Sequence, residues 1–388
     1  MTTKRNHRLI ALRSKAKREG WLHWVRSEAD ERAMLELGAY VDQRRIDHVV
    51  EFGHRYLRHT EGSTWAGLPF DLLSWQYEQL FGPLYGWVYD SEEWGRTIRR
   101  YRTAYVQLPK KNGKSPTAAY VGLYALCGDG EAGAKVFSVA TSRDQASIVH
   151  SHATRMVDSS PELSDELKIN RTTKAITHEA TYSEYRVLSA APRRNEGWNG
   201  HCCVADELHM WSGRALFDAL RWMFASRPSP LFFMITTAGD DTNGVAYEQY
   251  EYGKSILNGR VIDHTYLPLI YEADPGDDVG AESTWQKANP SWGDTVKASE
   301  FRQAYNQALT SRAALDRFRQ LRLNIWRTGQ TGWLDVLEWD AGPDRRRKAV
   351  ERAEQADEQA NNSRGSAVGR GRTRRKAARQ ANPASGKA

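Results

Sequence analysis

The run Leu108-Pro109-Lys110-Lys111-Asn112-Gly113-Lys114-Ser115 constrains this chain more than any other feature, because of what stands on either side of it. Thr103 to Leu108 reads as a strand and Thr117 to Leu126 as a helix. A strand that turns through a small basic loop into a helix brings backbone N–H groups together at the positive end of the helix dipole. That is the geometry of a phosphate-binding loop. In it Lys111, Asn112 and Gly113 line the turn, Lys114 reaches the β- and γ-phosphates, and the Ser115 hydroxyl ligates magnesium. The general pattern has a glycine where Leu108 stands, so the loop departs from the common form. An ordinary basic turn is the competing reading.

A second run, His201-Cys202-Cys203-Val204-Ala205-Asp206-Glu207, reads as a buried strand that ends in two acids. Carboxylates at the C-terminal end of a parallel strand stand where ligands bind such sheets. There Asp206 can hold magnesium and Glu207 can polarise an attacking water. A helix cap is the plainer alternative. Phe232 to Ile235 reads as another strand, and Thr236-Thr237-Ala238-Gly239 after it offers small polar groups suited to sensing a γ-phosphate. Trp75-Gln76, after Pro69-Phe70, places an amide able to pair with an adenine edge. Ser142-Arg143-Asp144-Gln145-Ala146 follows a strand, and Arg143 there can neutralise transition-state charge from the same chain or a neighbouring one. Arg143 at a mere helix start is equally compatible with the sequence. The cofactors so implied are ATP and Mg2+.

The remaining strand candidates are Lys135 to Ala140, Tyr185 to Ser189, Cys202 to Ala205 and Leu231 to Thr236. Strands alternating with helical segments predict an α/β fold with a mainly parallel central sheet flanked by helices. Four regions are expected. Residues 1–65 form an N-terminal helical region, with Val49, Val50, Phe52, Tyr56 and Leu57 on one stripe. Residues 66–275 form the phosphate-loop core. Residues 276–342 form a helical linker subdomain carrying Trp285, Leu309, Leu315, Phe318, Leu321 and Leu323. Residues 343–388 are a basic tail with too few large apolar side chains to order itself.

Three cysteines, two of them adjacent, speak against disulfides or a zinc knuckle and fit a reducing cytoplasm. No apolar stretch approaches the roughly 20 residues of a membrane helix, and the basic N-terminus has no signal-peptide core, so a soluble chain without membrane association is expected. The net charge of +7 is concentrated near the two ends, which favours a polyanionic partner.

Taken in order, these segments resemble the large terminase subunit of tailed phages. The resemblance rests on Trp75-Gln76, Pro109 to Ser115, Ser142 to Ala146, Ala205-Asp206-Glu207-Leu208-His209, Thr236 to Gly239, Ala288-Asn289-Pro290-Ser291 and Leu323-Asn324-Ile325-Trp326. Tyr56-Leu57-Arg58-His59-Thr60 with Trp65-Ala66-Gly67 is also similar. It covers about residues 45 to 340. It implies a P-loop NTPase fold and an ATP-driven DNA translocase that packages phage DNA into a procapsid. Lys114, Ser115, Asp206 and Glu207 would form the ATPase site, Gln76 would contact adenine, and Thr236 to Gly239 would couple hydrolysis to movement. The implied partners are double-stranded DNA, a portal protein, a small terminase subunit and further copies of the chain in a ring, in the host cytoplasm at the portal.

That family continues into a nuclease domain with clustered acids. Here only Asp335, Glu338, Asp340 and Asp344 precede the basic tail. The expectation is that the chain lacks the cutting domain and alone has no nuclease activity. Two rivals share the ATPase residues. A cellular P-loop helicase-like ATPase should carry a second motor domain, of which there is no sign. A nucleotide- or DNA-binding remnant would not need the intact Lys114, Asp206 and Glu207.

Overall fold

The computed structural model describes residues 2–188 and 199–327 of the chain. Three short strands, β1 (Tyr40–Val41), β2 (Trp87–Ser91) and β3 (Arg96–Arg99), make a small antiparallel sheet. The principal sheet has eight strands: β4 (Thr103–Gln107), β5 (Lys135–Val139), β6 (Leu167–Asn170), β7 (Ala175–His178), β8 (Ser183–Val187), β9 (Cys202–Asp206), β10 (Leu231–Thr236) and β11 (Tyr266–Ile270). Their order is β11-β4-β10-β9-β5-β8-β7-β6. Neighbours from β11 through β8 pair in parallel, and β7 and β6 close one edge antiparallel. Every residue of β9 and β10 is buried. Their unbroken apolar runs are what a parallel sheet covered on both faces requires.

Three helices open the chain: α1 (Thr2–Arg18), α2 (Glu28–Glu36) and α3 (Gln43–Tyr56). Ser27 and Asp30 form a reciprocal capping box at the start of α2, and Asp42 caps α3 through the Arg44 N–H. Then come α4 (Gly82–Gly86), α5 (Lys114–Leu123), α6 (Arg143–Asp158), α7 (Pro161–Glu166), α8 (Ala215–Trp222) and α9 (Val245–Leu257). One face of the sheet packs against α5, α6 and the N-terminal helices, in a core that includes Phe52, Tyr120, Val106, Val149 and Phe233. The other face packs against α8 and α9 through Phe217, Phe232, Met234 and Ile256. A third, smaller core around Trp285, Phe301 and Phe318 joins α10 (Glu282–Ala288), α11 (Ala298–Ala308) and α12 (Arg312–Leu323).

The N-terminal helices are built into the main core rather than laid against it. Phe52 of α3 meets Tyr120 and Tyr124, and the Tyr120 hydroxyl donates to the Val49 carbonyl. All five expected strands are present, four of them within one residue of the predicted bounds. The exception is the strand read as Tyr185 to Ser189, which runs Ser183–Val187 because it pairs with β5 and β7 in that register; Ser189 lies outside the described residues. The basic tail and the acids Asp335, Glu338, Asp340 and Asp344 also lie outside them. Among the described residues no helix is long and apolar enough to cross a membrane.

Candidate nucleotide site

β4 ends at Gln107 and α5 begins at Lys114, so residues 108–113 form the expected loop at the C-terminal end of a parallel strand. Lys111 and Gly113 both have φ of 75°. Left-handed backbone costs a non-glycine residue about 1 kcal/mol, and such turns let successive N–H groups line an anion-binding concavity. The Lys114 side chain folds back, and its Nζ donates to the Leu108 and Pro109 carbonyls, each at 3.1 Å. Burial lowers its pKa to about 8 against the opposing pull of Glu207 and Asp206.

Lys110, Lys111, Gly113, Lys114, Ser115, Pro116 and Glu207 line one cavity of about 340 Å³ together with His59, Thr60, Glu61 and His152. The loop and the acid pair are set apart by β10, since Ile235 pairs with Val106 on one side and with Asp206 on the other. Two strand spacings amount to roughly 9–10 Å. The gap is wide enough for phosphate oxygens and a metal.

Asp206 is 6% exposed. Burial and the neighbouring Glu207 push its pKa up to about 7, although Lys114 opposes them. Burial also acts on Glu207, but His209, Lys114 and Lys110 hold that carboxyl below its ordinary value. His209 Nδ1 lies 3.2 Å from Glu207 Oε2 and 3.0 Å from Thr236 Oγ1. Glu207 itself sits in left-handed backbone with φ of 47°, a strained conformation of the kind found at functional sites. The pair is short of positive charge, and a divalent cation would supply it. Among the described residues no group of three His, Cys, Asp or Glu forms a complete cage. Carboxylate oxygens such as those of Asp206 and Glu207 are the hard donors that a divalent cation such as Mg2+ would take together with phosphate oxygens.

The other expected site residues fall in two groups. Thr236 and Thr237 are fully buried. The Thr236 hydroxyl accepts from the His209 N–H at 3.0 Å and donates to the Thr237 carbonyl at 3.1 Å, while Thr237 Oγ1 is buried with no hydrogen-bond partner. Neither Asp206 nor these two threonines line the cavity, and Gln76, Asn112 and Arg143 do not line it either. Gln76 is buried with both ends of its amide in use: Oε1 accepts from the Leu73 N–H at 2.9 Å and Nε2 donates to Thr117 Oγ1 at 2.8 Å. The amide keeps one further N–H and one lone pair, but Gln76 is 3% exposed and does not reach the cavity where adenine was expected. Asn112 donates to Asn289 Oδ1 and accepts from the Ser291 N–H. Arg143 opens α6, exposed, and donates to the Thr173 carbonyl at 3.2 Å.

Besides Lys110 and Pro116, which flank the loop residues given roles, four cavity residues were not singled out by the sequence: His59, Thr60, Glu61 and His152. The first three lie in the loop after α3. It is closed by hydrogen bonds from His59 N–H to the Leu68 carbonyl (3.0 Å) and from Gly67 N–H to the His59 carbonyl (2.9 Å). Their only signal was the ordered run ending at His59-Thr60.

The phosphate loop is also braced from outside. Lys110 N–H donates to the Leu321 carbonyl at 2.9 Å, and Thr295 Oγ1 donates to the Lys111 carbonyl at 2.7 Å. Trp75 Nε1 donates to Ser291 Oγ at 2.9 Å. Asn324 accepts from the Ala238 N–H at 2.7 Å, and Gln320 Nε2 donates to the Ala238 carbonyl at 3.1 Å. Asn289, Ser291 and Asn324, within the segments that carry the resemblance, thus hold the loop and the turn after β10.

Comparison with known families agrees with this arrangement. Residues 75–255 match the model for the terminase large subunit, ATPase domain, a span that contains the loop, the acid pair and β10. The fold is that of a terminase large subunit ATPase. The crystal structure of the HK97 bacteriophage large terminase superimposes with a TM-score of 0.62 at 22% identity, covering 76% of this chain and 58% of that one. The terminase large subunit of Enterobacteria phage HK97 is 26% identical over 225 residues, 57% of this chain and 44% of that protein. Protein YmfN of Escherichia coli (strain K12) is 31% identical over 156 residues, 40% of this chain and 34% of that protein. The chain thus spans less than two thirds of the length of each.

One expectation is overturned. Residues 260–351 match the model for the terminase large subunit, endonuclease domain, so the chain cannot be described as lacking that part of a terminase. The expectation tested apolar content only after Trp333, whereas the match begins at residue 260, ahead of β11 and α10 to α12. Of these, α10 to α12 bury Trp285, Phe301 and Phe318 in a core of their own, whereas β11 is the edge strand of the main sheet beside β4.

Proposed function

We propose that this chain binds ATP and Mg2+ in the cavity beside Lys114 and hydrolyses it as the motor of a terminase large subunit that drives double-stranded DNA into a procapsid. The observation that carries the reading is that Lys114, Ser115 and Glu207 line one cavity, with Asp206 adjacent at the end of β9. Bound nucleotide would supply the phosphoryl group to be transferred. Lys114 exchanges two carbonyl contacts for phosphate oxygens, which is favourable for a desolvated ammonium. Ser115 and Asp206 would hold the metal, whose charge would favour the ionised form of Asp206. Glu207 accepts the proton of the attacking water, held in place by His209.

Thr236 is linked to Glu207 through His209, and Thr237 follows it, which suits the pair to registering the γ-phosphate. Gln76 acts as a positioning residue for α5 through Thr117. Arg143, outside the cavity of its own chain, would complete the site of a neighbouring copy in a ring. A portal protein and a small terminase subunit are the further partners of this reading, and the host cytoplasm at the portal is its setting.

The test is phosphate release with and without double-stranded DNA. Glu207→Gln should keep nucleotide binding and lose roughly a hundredfold or more in turnover, the range expected on removing a general base. Lys114→Ala should abolish turnover with an unchanged melting temperature. Near-wild-type turnover in either variant overturns the assignment.

A further inference from the structure

The sequence assigned the base of the nucleotide to Gln76, yet both ends of that amide are hydrogen-bonded within the protein. The cavity extends instead to two histidines. His152, in the third turn of α6, is 8% exposed, lines the cavity, and has an Nδ1 that is buried without a hydrogen-bond partner. A buried polar atom without a partner costs about 1–3 kcal/mol, so such atoms call for an explanation. His59 also lines the cavity, and its Nε2 is likewise buried without a partner. Its ring is fixed: it stacks on Phe70 with centroids 4.4 Å apart and 19° between planes, and Trp65 packs against it at 5.1 Å. Arg155 of α6 pairs with Glu61 at 2.8 Å, tying the His59 loop to the helix that carries His152. The two imidazoles are thus held around one space by packing and an ion pair that owe nothing to a ligand.

Phosphate recognition is already provided by Lys110, Lys111 and Lys114. Burial lowers the pKa of both histidines, which keeps them neutral and unsuited to a phosphate charge. A neutral imidazole suits hydroxyls and heterocyclic nitrogens. We propose that His152 Nδ1 and His59 Nε2 are the hydrogen-bond partners of the ribose or purine of the bound nucleotide, forming the nucleoside wall of the cavity. The proposal rests on the ATPase reading and adds the part of the substrate that these residues recognise.

Binding of MgATP and of magnesium tripolyphosphate, which has the phosphates but no nucleoside, separates the roles. His152→Ala and His59→Ala should each weaken ATP binding about five- to tenfold, the scale of one hydrogen bond, and leave tripolyphosphate affinity unchanged. His152→Asn, which keeps polar atoms near the Nδ1 position, should recover most of the loss and guards against a folding defect in the alanine variant. Lys114→Ala should weaken both ligands. Unchanged ATP affinity in the histidine variants, or equal losses for both ligands, would overturn the proposal. Wild-type protein that binds neither ligand would overturn the ATPase reading, and this proposal with it.

Discussion

Asn112 Nδ2 donates to Asn289 Oδ1 at 2.8 Å, joining the phosphate loop to the helical segment 177 residues further along the chain. Asn112 is 1% exposed and Asn289 fully buried, and Asn112 also accepts from the Ser291 N–H at 3.1 Å. Asn112→Ala leaves two buried groups without partners and should cost about 2–3 kcal/mol in denaturant unfolding. Asn289→Ala should cost a similar amount, and the double variant clearly less than the sum. Additive losses would mean that the two residues act separately.

Asp129 should contribute a defined part of the loss of stability in acid. Burial raises its pKa, but Arg99 and His201 more than offset this and hold it at about 2. A carboxyl depressed in the folded state contributes stability above its unfolded pKa near 3.9, and that stability is lost as pH falls toward 2. The contribution is of order 2 kcal/mol. Asp129→Asn should remove this part of the acid slope. It should also lower stability at neutral pH by about 3–5 kcal/mol, since Arg99, 2% exposed, loses its counter-charge. Unfolding free energies between pH 2 and 7 check both statements.

Arg143 lies outside the cavity of its own chain, so its contribution should be recoverable between chains. Neither Arg143→Ala nor Lys114→Ala alone should turn over ATP at the wild-type DNA-stimulated rate. Mixed, they should regain part of it wherever an intact Arg143 faces an intact Lys114. No recovery in mixtures that assemble as the wild type does would remove the trans role.

Gln76→Ala should register as a stability defect of about 1–3 kcal/mol, because it strands the Leu73 N–H and leaves the Thr117 hydroxyl with its bond to the Gly113 carbonyl alone. The ratio of kcat/KM for ATP over GTP should stay within about twofold of wild type, since one net hydrogen bond to the base would shift it by about tenfold. A large fall in that ratio with normal stability would return the glutamine to base recognition.

The strands were legible because β9 and β10 are continuous apolar runs that only a doubly covered sheet can bury. The loop was legible because it bends a strand into a helix over six residues, and Asp206-Glu207 because an acid pair after such a run stands out. The contact role of Gln76 and Asn112 was not legible. Both are polar residues beside functional segments, and only the fold reveals that Thr117 and Asn289 occupy their amides. His59 and His152 stand 93 positions apart in the sequence, and no local spacing brings them to one cavity. The matched endonuclease segment was missed since its first part reads as the end of the phosphate-loop core and as the amphipathic helices of a linker.

Ala238, in the turn after β10, is bonded at its N–H by Asn324 and at its carbonyl by Gln320, both carried by α12 or its first following residue. Gly239 accepts from the Arg327 N–H at 3.1 Å and has the Trp326 ring against it. A turn gripped on both sides by one helix has almost no compliance of its own. Displacing it without α12 means breaking several buried bonds at once, whereas moving the two as one body breaks none of them. The stiffness of the turn is therefore the stiffness of the helix, and a pull on either end of α12 is a load on the residues that follow Thr236.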